Sequence, residues 1–451
     1  MSAAAATKEN KMGTMPINKL LLNMSLPMMI AMLIQALYNI IDSMFVAQIS
    51  ENALSAVSLA FPMQNFMIAV GTGTGVGVNA LLSKSLGAKR IKIANKTANI
   101  SMFLVFMNWI LFIIIGLFIA KPFLAGQTNV GEIVDYGNTY LRICCVASLG
   151  IYAEIALERL LQATGRTFYT MITQASGAIV NIILDPILIF GLFGMPELGV
   201  AGAAIATVCG QFVAAGLALF FNLTKNHDIK FDFRNMLPTK FIVYNIYKVA
   251  IPSILMVSIG SVMMFFMNRI LGVFTPTAIA VFGVYFKLQS FIFMPIFGMN
   301  NGMVPIIAYN YGARKRERIL HTIKLAVTYA TVMMLIGLVI FQIIPDKLLL
   351  LFDASDNMLS IGVPALRLIS ISFVLAGFNI ICSSVFQALG NGVFSLIVSV
   401  VRQLVVLVPV AFLLSKIATL GKIWLAFPIA EVAALLLCLF FLRKIMKLLD
   451  F

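Results

Sequence analysis

The sequence predicts an all-α integral membrane protein in which twelve transmembrane helices form two pseudo-symmetric six-helix bundles. Three observations support this fold class: the composition is strongly apolar, long apolar segments recur along the chain, and the second half repeats the first. The chain has 451 residues, of which 61% are hydrophobic and 11% are charged. Soluble domains are about 45–50% apolar and about 25% charged, so these values exclude an ordinary globular protein.

Twelve apolar segments are each long enough to cross a bilayer core of about 30 Å. They cover approximately residues 20–47, 55–82, 97–120, 138–163, 168–193, 199–223, 245–271, 278–306, 320–344, 361–388, 393–415 and 421–442. We expect helices, because each segment has to satisfy its own backbone hydrogen bonds in lipid. The alternating segments of about ten residues that are typical of a transmembrane barrel do not appear.

The N-terminal segment, the cysteines and the histidines indicate which further kinds of protein this chain is not expected to be. Segment 1–19 is polar and basic and runs directly into the first apolar segment, so we expect no cleaved leader. The five cysteines lie inside apolar segments and the two histidines lie in basic loops, which predicts neither a disulfide framework nor a metal site. No catalytic set of residues and no nucleotide-binding loop is apparent, so we do not expect an enzyme.

The net charge of +15 is distributed unevenly between the two sides of the predicted bundle. Loops on the side of the N-terminus carry 23 lysines and arginines, whereas loops on the opposite side carry 4. The basic side comprises segments 8–19, 84–96, 159–166, 225–248, 314–324 and 443–447. This asymmetry predicts that both termini are cytoplasmic in a multi-pass protein of the inner or plasma membrane, and it explains the basic charge without nucleic acid.

The two halves of the chain align without a gap at an offset of 225 residues. Segment 59–90 matches segment 284–315, with phenylalanine, glutamine and glycine at equivalent positions such as Gly87 and Gly312. Each half has six predicted helices, so the repeats are parallel and related by an axis along the membrane normal. Transporters built in this way place a cavity between the halves and rock them for alternating access.

The repeat also gives the predicted domain organisation. We expect a cytoplasmic N-terminus (1–19), an N-lobe (20–223), a cytoplasmic inter-lobe linker (224–244), a C-lobe (245–445) and a C-terminal tail (446–451).

Two aspartates lie deep inside predicted helices of the N-lobe. A charged group at mid-bilayer costs at least about 2.5–3.5 kcal/mol, so Asp42 and Asp185 are candidates for function. Tyr38 and Asn181 each lie one helical turn before one of these acids, and Thr207 lies at a similar depth in the sixth helix. Such a group of side chains can bind a proton or another cation. The alternative is that each aspartate is an ordinary interhelical hydrogen-bonding residue.

Other polar side chains in the apolar segments are candidates for lining a substrate cavity. They are Asn39, Gln64, Gln289, Lys287 and Glu154. Lys287 could instead neutralise a glutamate, and Glu154 together with Glu158 could act in gating or pack against Arg166. Glu431 and Arg402 lie near the middle of their helices and are interpreted as a structural ion pair.

Three sequence motifs, together with the two six-helix halves, resemble the multidrug and toxic compound extrusion (MATE) family of the MOP superfamily. The resemblance rests on LPMMIAMLIQALYNIIDSMFVAQI, GVGVNALLSKSLGAKR and NIILDPILIFG and covers about residues 17–445. The DinF-like branch is most similar, since it carries acids equivalent to Asp42 and Asp185. The resemblance implies that Asp42 is the proton-coupling carboxylate, that Tyr38, Asn181, Asp185 and Thr207 surround it, and that the first helix bends at Pro27.

The function implied by this resemblance is export of amphipathic or cationic drugs and metabolites by cation-coupled antiport. The predicted helices 7, 8 and 10, where another branch of the family has acidic cation ligands, contain no Asp or Glu. This favours a proton over sodium, although a sodium site in the first half remains open. We expect no cofactor beyond the ion gradient, contact with the lipid bilayer, and a monomer. The alternatives are a flippase for lipid-linked precursors, supported by Lys287 and Arg402, and a membrane receptor or scaffold that transports nothing.

Overall fold

The structure, a computed structural model, describes residues 9–232, 236–352, 354–417 and 419–449. Within these residues the chain is helical and forms no strand, which confirms the predicted all-α class. Ten helices are long and apolar enough to cross a membrane, and two further bent pairs bring the number to twelve.

Six spans form each half of the chain. The N-lobe contains α1 (Ile17–Ala47), α2 (Glu51–Gly87), α3 (Ile91–Ala125), α4 (Gly131–Val146 and Leu149–Ala163), α5 (Thr167–Phe190) and α6 (Val200–Thr224). The C-lobe contains α7 (Lys240–Gly272), α8 (Pro276–Gly312), α9 (Arg316–Ile343), α10 (Asp356–Ser370 and Phe373–Ala388), α11 (Gly392–Ile417) and α12 (Leu420–Lys447). Short helices cover Lys11–Thr14, Leu192–Gly194 and Pro345–Leu350.

The bounds of the spans repeat with the offset found in the sequence. Helices α2 and α8 are related by 225 residues at both ends. The bent spans α4 and α10 also correspond, with breaks of 47° and 50° at residues 147–148 and 371–372. At the second break the Ser372 hydroxyl donates to Ile369 O at 2.6 Å, and such a bond back to the preceding turn competes with the helical ladder.

Some predicted boundaries differ from the structure. Segments 138–163 and 361–388 were each expected to be one helix, but each contains a break. The inter-lobe linker is shorter than the predicted 224–244, because α7 begins at Lys240. The final helical stretch of α12, Ala426–Leu448, extends into the predicted tail. Residues 1–8 of the N-terminus, 233–235 of the linker and 450–451 of the tail lie outside the described residues.

The first helix was expected to bend at Pro27. In the structure α1 is one helix of 31 residues that passes through Pro27 without a break. Proline has no backbone N–H and removes one bond from the helical ladder, but a helix of this length retains its other bonds on both sides.

The lobes contact each other at one end of the bundle, which we call the basic end because it carries the loops 88–90, 164–166 and 313–315. Gly87 on α2 lies so close to Tyr309 O on α8 that an added Cβ would collide with that oxygen, and Gly312 approaches Lys84 O in the same way. These two contacts are related by the internal repeat. Glycine at these positions allows the two backbones to approach closely, as is common between transmembrane helices.

The GTGTGVG segment, residues 71–77, takes part in the same interface. A Cβ on Gly73 would lie 2.5 Å from a side-chain carbon of Ile254, and one on Gly77 would collide with Ile246 O, both on α7. The second half provides the equivalent approach between Gly298 and Met29 on α1. The glycines that revealed the repeat are therefore located where the lobes meet.

The N-terminal segment closes the basic end further by contacting both lobes. Asn10 donates to Thr164 O of the N-lobe at 3.0 Å, and Asn310 of the C-lobe donates to Met12 O at 3.0 Å. The Lys315 ammonium donates to Glu9 Oε1 at 2.5 Å, and this bond lowers the pKa of the Glu9 carboxyl. The Met12 side chain is fully buried between the lobes.

The packing changes along the length of the bundle. One core cluster contains residues of both lobes, and its N-lobe members lie toward the basic end, for example Leu82 and Leu161. A second cluster around Phe112 and Tyr152 is formed by N-lobe residues, and among the described residues only Ile254 of the C-lobe packs against it. The lobes thus share a core at the basic end and have separate cores toward the opposite end.

Candidate functional site

The carboxyl groups of Asp42 and Asp185 lie against each other inside the N-lobe. Asp42 is on α1 and Asp185 is on α5, two helices that pack along each other, and the two carboxyls are within hydrogen-bonding distance. Asp185 is fully buried, whereas Asp42 is half-buried. One oxygen of each, Oδ1, is buried without a hydrogen-bond partner among the described residues.

Three uncharged side chains connect the acid pair to the sixth helix. The Asn181 amide, oriented by its neighbours, donates to Asp185 Oδ2 at 2.8 Å and accepts from the Thr207 backbone N–H at 2.8 Å. The Thr207 hydroxyl donates to Ala203 O at 3.0 Å, and the Tyr38 phenol lies beside this hydroxyl. The structure therefore brings together all five residues that the sequence predicts for ion coupling; their role remains a prediction.

The close approach of α5 and α6 depends on two glycines that sequence reasoning did not single out. Gly177 lies against Gly210 O, and Gly210 lies against Gly177 O, so a Cβ at either position would be 2.9 or 2.6 Å from the facing oxygen. Each glycine is near the Asn181–Thr207 contact in its own helix. The signal was present as small residues in the stretches QASGAIVN and AIATVCGQ, but such stretches are common in membrane helices.

The arrangement determines what the site can do chemically. Two carboxyl oxygens at hydrogen-bonding distance repel each other unless a proton or another cation lies between them. Asn181 offers a single amide donor to this pair, which leaves the two unpartnered oxygens able to bind a cation. The equivalent positions in the C-lobe are Met267 and Val410, so only the N-lobe carries this chemistry.

The predicted cavity-lining residues lie on α1, α2, α4 and α8, and their role stays a prediction. Asn39 is exposed on α1, Gln64 donates to Tyr140 OH at 3.3 Å inside the N-lobe, and Gln289 has a buried amide oxygen without a partner. Lys287 is exposed, with its ammonium 5.8 Å from the centre of the Phe352 ring.

The glutamates of α4 do not pack against Arg166 as expected. Glu154 is half-buried and adjoins Glu158 one turn later. Glu158 accepts from Thr173 at 2.6 Å and from Gln174 at 2.7 Å, both on α5. The alternative failed because Arg166 lies in the loop after α4, where it pairs with Asp228 of the linker.

A contact that the sequence did not suggest joins the lobes beside Glu158. The Arg159 guanidinium donates to Gln162 Oε1 at 2.8 Å and to Asn301 Oδ1 of α8 at 2.9 Å. Sequence alone gives no signal for it, because the partners are 142 residues apart.

Arg402 and Glu431 form an ion pair in the C-lobe, as their positions near the middle of their helices predicted. The Arg402 guanidinium is 3.1 Å from Glu431 Oε1, and Asn379 donates to Glu431 Oε2 at 2.7 Å. Arg402 lies in a stretch of π-helix, Val401–Leu407, within α11. The pair is mostly buried and connects α10, α11 and α12.

This ion pair gives a prediction about stability. Arg402→Leu is expected to lower the melting temperature of the purified chain in detergent, because it leaves a largely buried carboxylate without its partner. The double variant Arg402→Leu/Glu431→Leu is expected to melt at a higher temperature than the single variant. Equal melting temperatures for the two variants would show that the pair does not act as a unit.

A known family profile matches each half of the chain separately. The MatE family profile matches residues 27–187 and 252–413. The multidrug export protein MepA of Staphylococcus haemolyticus is 31% identical over 430 residues, covering 94% of this chain and 93% of that protein. MepA of Staphylococcus aureus strain MRSA252 is 29% identical over 416 residues, covering 91% and 90% of the two chains.

A solved structure resembles the whole chain. It is described as the outward-facing conformation of a multidrug resistance MATE family transporter of the MOP superfamily. The TM-score is 0.92 at 26% sequence identity, with 98% of this chain and 99% of that chain covered.

Proposed function

Since this chain belongs to the MATE family of membrane transporters, we propose that it exports amphipathic or cationic drugs and metabolites by cation-coupled antiport. The observation that carries the proposal is the contact between the Asp42 and Asp185 carboxyls in a lobe whose repeat partner is apolar at both positions. Multidrug export by the MepA relatives supports the class of substrate.

The coupling follows from competition for the same oxygens. When the acid pair has lost its shared proton, its negative charge favours a cationic substrate; when a proton returns from outside, that charge is reduced and the substrate is released. A ligand shifts a conformational equilibrium only by its differential affinity for the two states. Proton and substrate therefore have to act on this pair or on residues coupled to it, such as Tyr38 and Asn181.

A proton fits this pair better than sodium does. Two carboxyl oxygens within hydrogen-bonding distance are the geometry for sharing one proton, whereas hard metal cations are held by several converging oxygen ligands. The acid pair receives one amide donor from Asn181. Sodium is the alternative that the transport experiment below distinguishes.

The orientation in the membrane follows from the charge of the basic end. We place this end in the cytoplasm of the cell membrane, with both termini on that side, because it carries most of the lysines and arginines. The lobes are in contact at the basic end and have separate cores toward the other, which corresponds to an outward-facing state. We further propose that the chain works as a monomer without a cofactor.

Transport by purified protein in liposomes tests the proposal. Efflux of a fluorescent cationic drug is measured with pH and sodium gradients set independently. We expect transport to follow the pH gradient and the internal pH to change with drug movement. Transport that responds only to the sodium gradient would identify sodium as the coupling ion. The absence of any substrate-dependent ion flux would favour a receptor or scaffold.

The flippase alternative loses one of its two supports, Arg402, and keeps the exposed Lys287. Arg402 is paired with Glu431 and held by the C-lobe core, and Lys287 lies against Phe352. Neither cation lies beside the acid pair.

A further inference from the structure

A groove at the basic end is formed by residues of both lobes. Its volume is about 210 Å³, and we call it the basic groove. Its lining includes Lys84 of α2, Lys248 of α7, Tyr311 of α8 and residues 389–391 before α11.

Two lysines give the basic groove its charge. The side chains of Lys84 and Lys248 are exposed, and Lys84 Nζ lies 4.7 Å from the centre of the Tyr311 ring. Lys84 interacts electrostatically with Lys248 and Arg90, which are also cationic. Neither groove lysine forms a salt bridge with a carboxylate in the part of the chain that the structure describes. Two cations thus face the same space without an anion to balance them.

The beginning of α11 adds to this charge. Gly390 has a φ of 81°, which turns the chain into the helix, and the Asn391 side chain makes no capping hydrogen bond. The first N–H groups of a helix have no partner within the helix and attract anions. Since residues 389–391 line the groove, this end of α11 lies beside the lysines.

The internal repeat supplies an independent argument, because the equivalent groove is already filled. At the offset of 225 residues, Asn23, Gly165 and Tyr309 correspond to Lys248, Gly390 and Lys84. Residues 10–13 occupy that second groove: Lys11 donates to Asn23 at 2.7 Å, and a Cβ on Gly165 would lie 3.2 Å from the Lys11 side chain.

Residues 236–238, the described part of the linker that is equivalent to 11–13, do not fill the basic groove in the same way. The residue equivalent to the buried Met12 is Leu237, whose side chain is 75% exposed. The duplicated fold therefore has two related grooves between the lobes. One is closed by the N-terminal segment of the chain, and the other is positively charged and open among the residues that the structure describes.

We propose that the basic groove binds a phosphate group, carried either by an anionic phospholipid at the membrane surface or by a soluble phosphate monoester. Lys84 of the N-lobe and Lys248 of the C-lobe would bind phosphate oxygens beside the start of α11. Because the lobes each supply one lysine, such a ligand binds best when the basic end is closed and stabilises that conformation. The proposal does not depend on which substrate is exported.

Binding to the purified full-length chain in detergent tests this site. Thermal unfolding is followed during titration with short-chain phosphatidylglycerol, glycerol 3-phosphate and, as a zwitterionic control, short-chain phosphatidylcholine. The wild type is compared with Lys84→Gln/Lys248→Gln, with the charge-preserving Lys84→Arg/Lys248→Arg, and with Lys96→Gln/Lys240→Gln. The last variant removes the same charge at the basic end but outside the groove.

We expect an anionic ligand to raise the melting temperature of the wild type and of the Lys96→Gln/Lys240→Gln control. Affinity should fall about tenfold or more in Lys84→Gln/Lys248→Gln and recover in the arginine variant. Stabilisation by glycerol 3-phosphate identifies a soluble ligand, whereas stabilisation by phosphatidylglycerol alone identifies a lipid head group. Equal binding by the wild type and the glutamine variant, equal loss in the control, or equal binding of phosphatidylcholine would overturn the proposal.

Discussion

Asp42→Asn is expected to abolish drug resistance while leaving the amount of protein in the membrane unchanged. Asparagine preserves the size of the side chain but cannot bind a proton or supply a negative charge to a cationic substrate. The Asp185 carboxyl then faces an amide and no longer shares a proton with Asp42. We expect the initial rate of pH-driven efflux in liposomes to fall at least about tenfold, since a lost hydrogen bond to a charged group costs about 1.5–3 kcal/mol.

Asp185→Asn is the parallel test of the acid pair, and Asp346→Asn is the control. Asp185→Asn removes the other half of the pair and should give the same loss, and the double variant should be no worse than either single one, because the two carboxyls act as a unit. Asp346 is an exposed acid at the start of the short helix after α9, so its replacement should leave efflux unchanged. Proton-driven efflux by Asp42→Asn at the rate of the wild type would contradict the mechanism.

Gly87→Ala is expected to shift the protein away from the conformation described here. The added Cβ collides with Tyr309 O, which is a backbone atom and cannot move away as a flexible side chain could. The lobes must therefore separate at the basic end, at a cost of roughly 1–3 kcal/mol, equivalent to a change of about 5–150-fold in the conformational equilibrium. Transport should fall because alternating access requires this end to close.

Gly216→Ala is the matched control, since an added Cβ on this glycine of α6 meets nothing within 4 Å. The distribution of distances between spin labels at Lys92 and Glu317 reports the separation of the lobes. These exposed positions are related by the repeat and lie at the basic end, and the five native cysteines are replaced beforehand. We expect the population with the longer distance to grow in Gly87→Ala and in Gly312→Ala but not in Gly216→Ala. Unchanged distances in the first two variants would show that these glycines do not control closure.

Much of the candidate site could be predicted from helical spacing alone. Asn181 and Asp185 are four residues apart in one helix, so they share a face wherever that helix lies. The Thr207 position was predicted from depth. The link from α5 to α6, however, depends on the mutual approach of Gly177 and Gly210, which spacing within one helix cannot reveal.

The errors also have a physical cause. Arg166 was considered a partner for the α4 glutamates because it is near them in sequence, but the turn after Ala163 directs it toward Asp228 of the linker. The breaks inside α4 and α10 were missed because both halves of each span are apolar. Hydropathy measures whether a segment can enter the membrane and carries no information about a bend of about 50° within it.

The sequence by itself determined that the chain is a helical membrane protein of two repeated halves with two acids in the first half only. These properties depend on composition, on a period of 3.6 residues and on an offset of 225, all of which can be read along one dimension. Only the tertiary structure decided that Asp42 faces Asp185, that the glycine pairs close the basic end, and that one of two equivalent grooves is filled by the chain itself. Each of these involves residues from different helices, and the distance between helices depends on how their surfaces fit together.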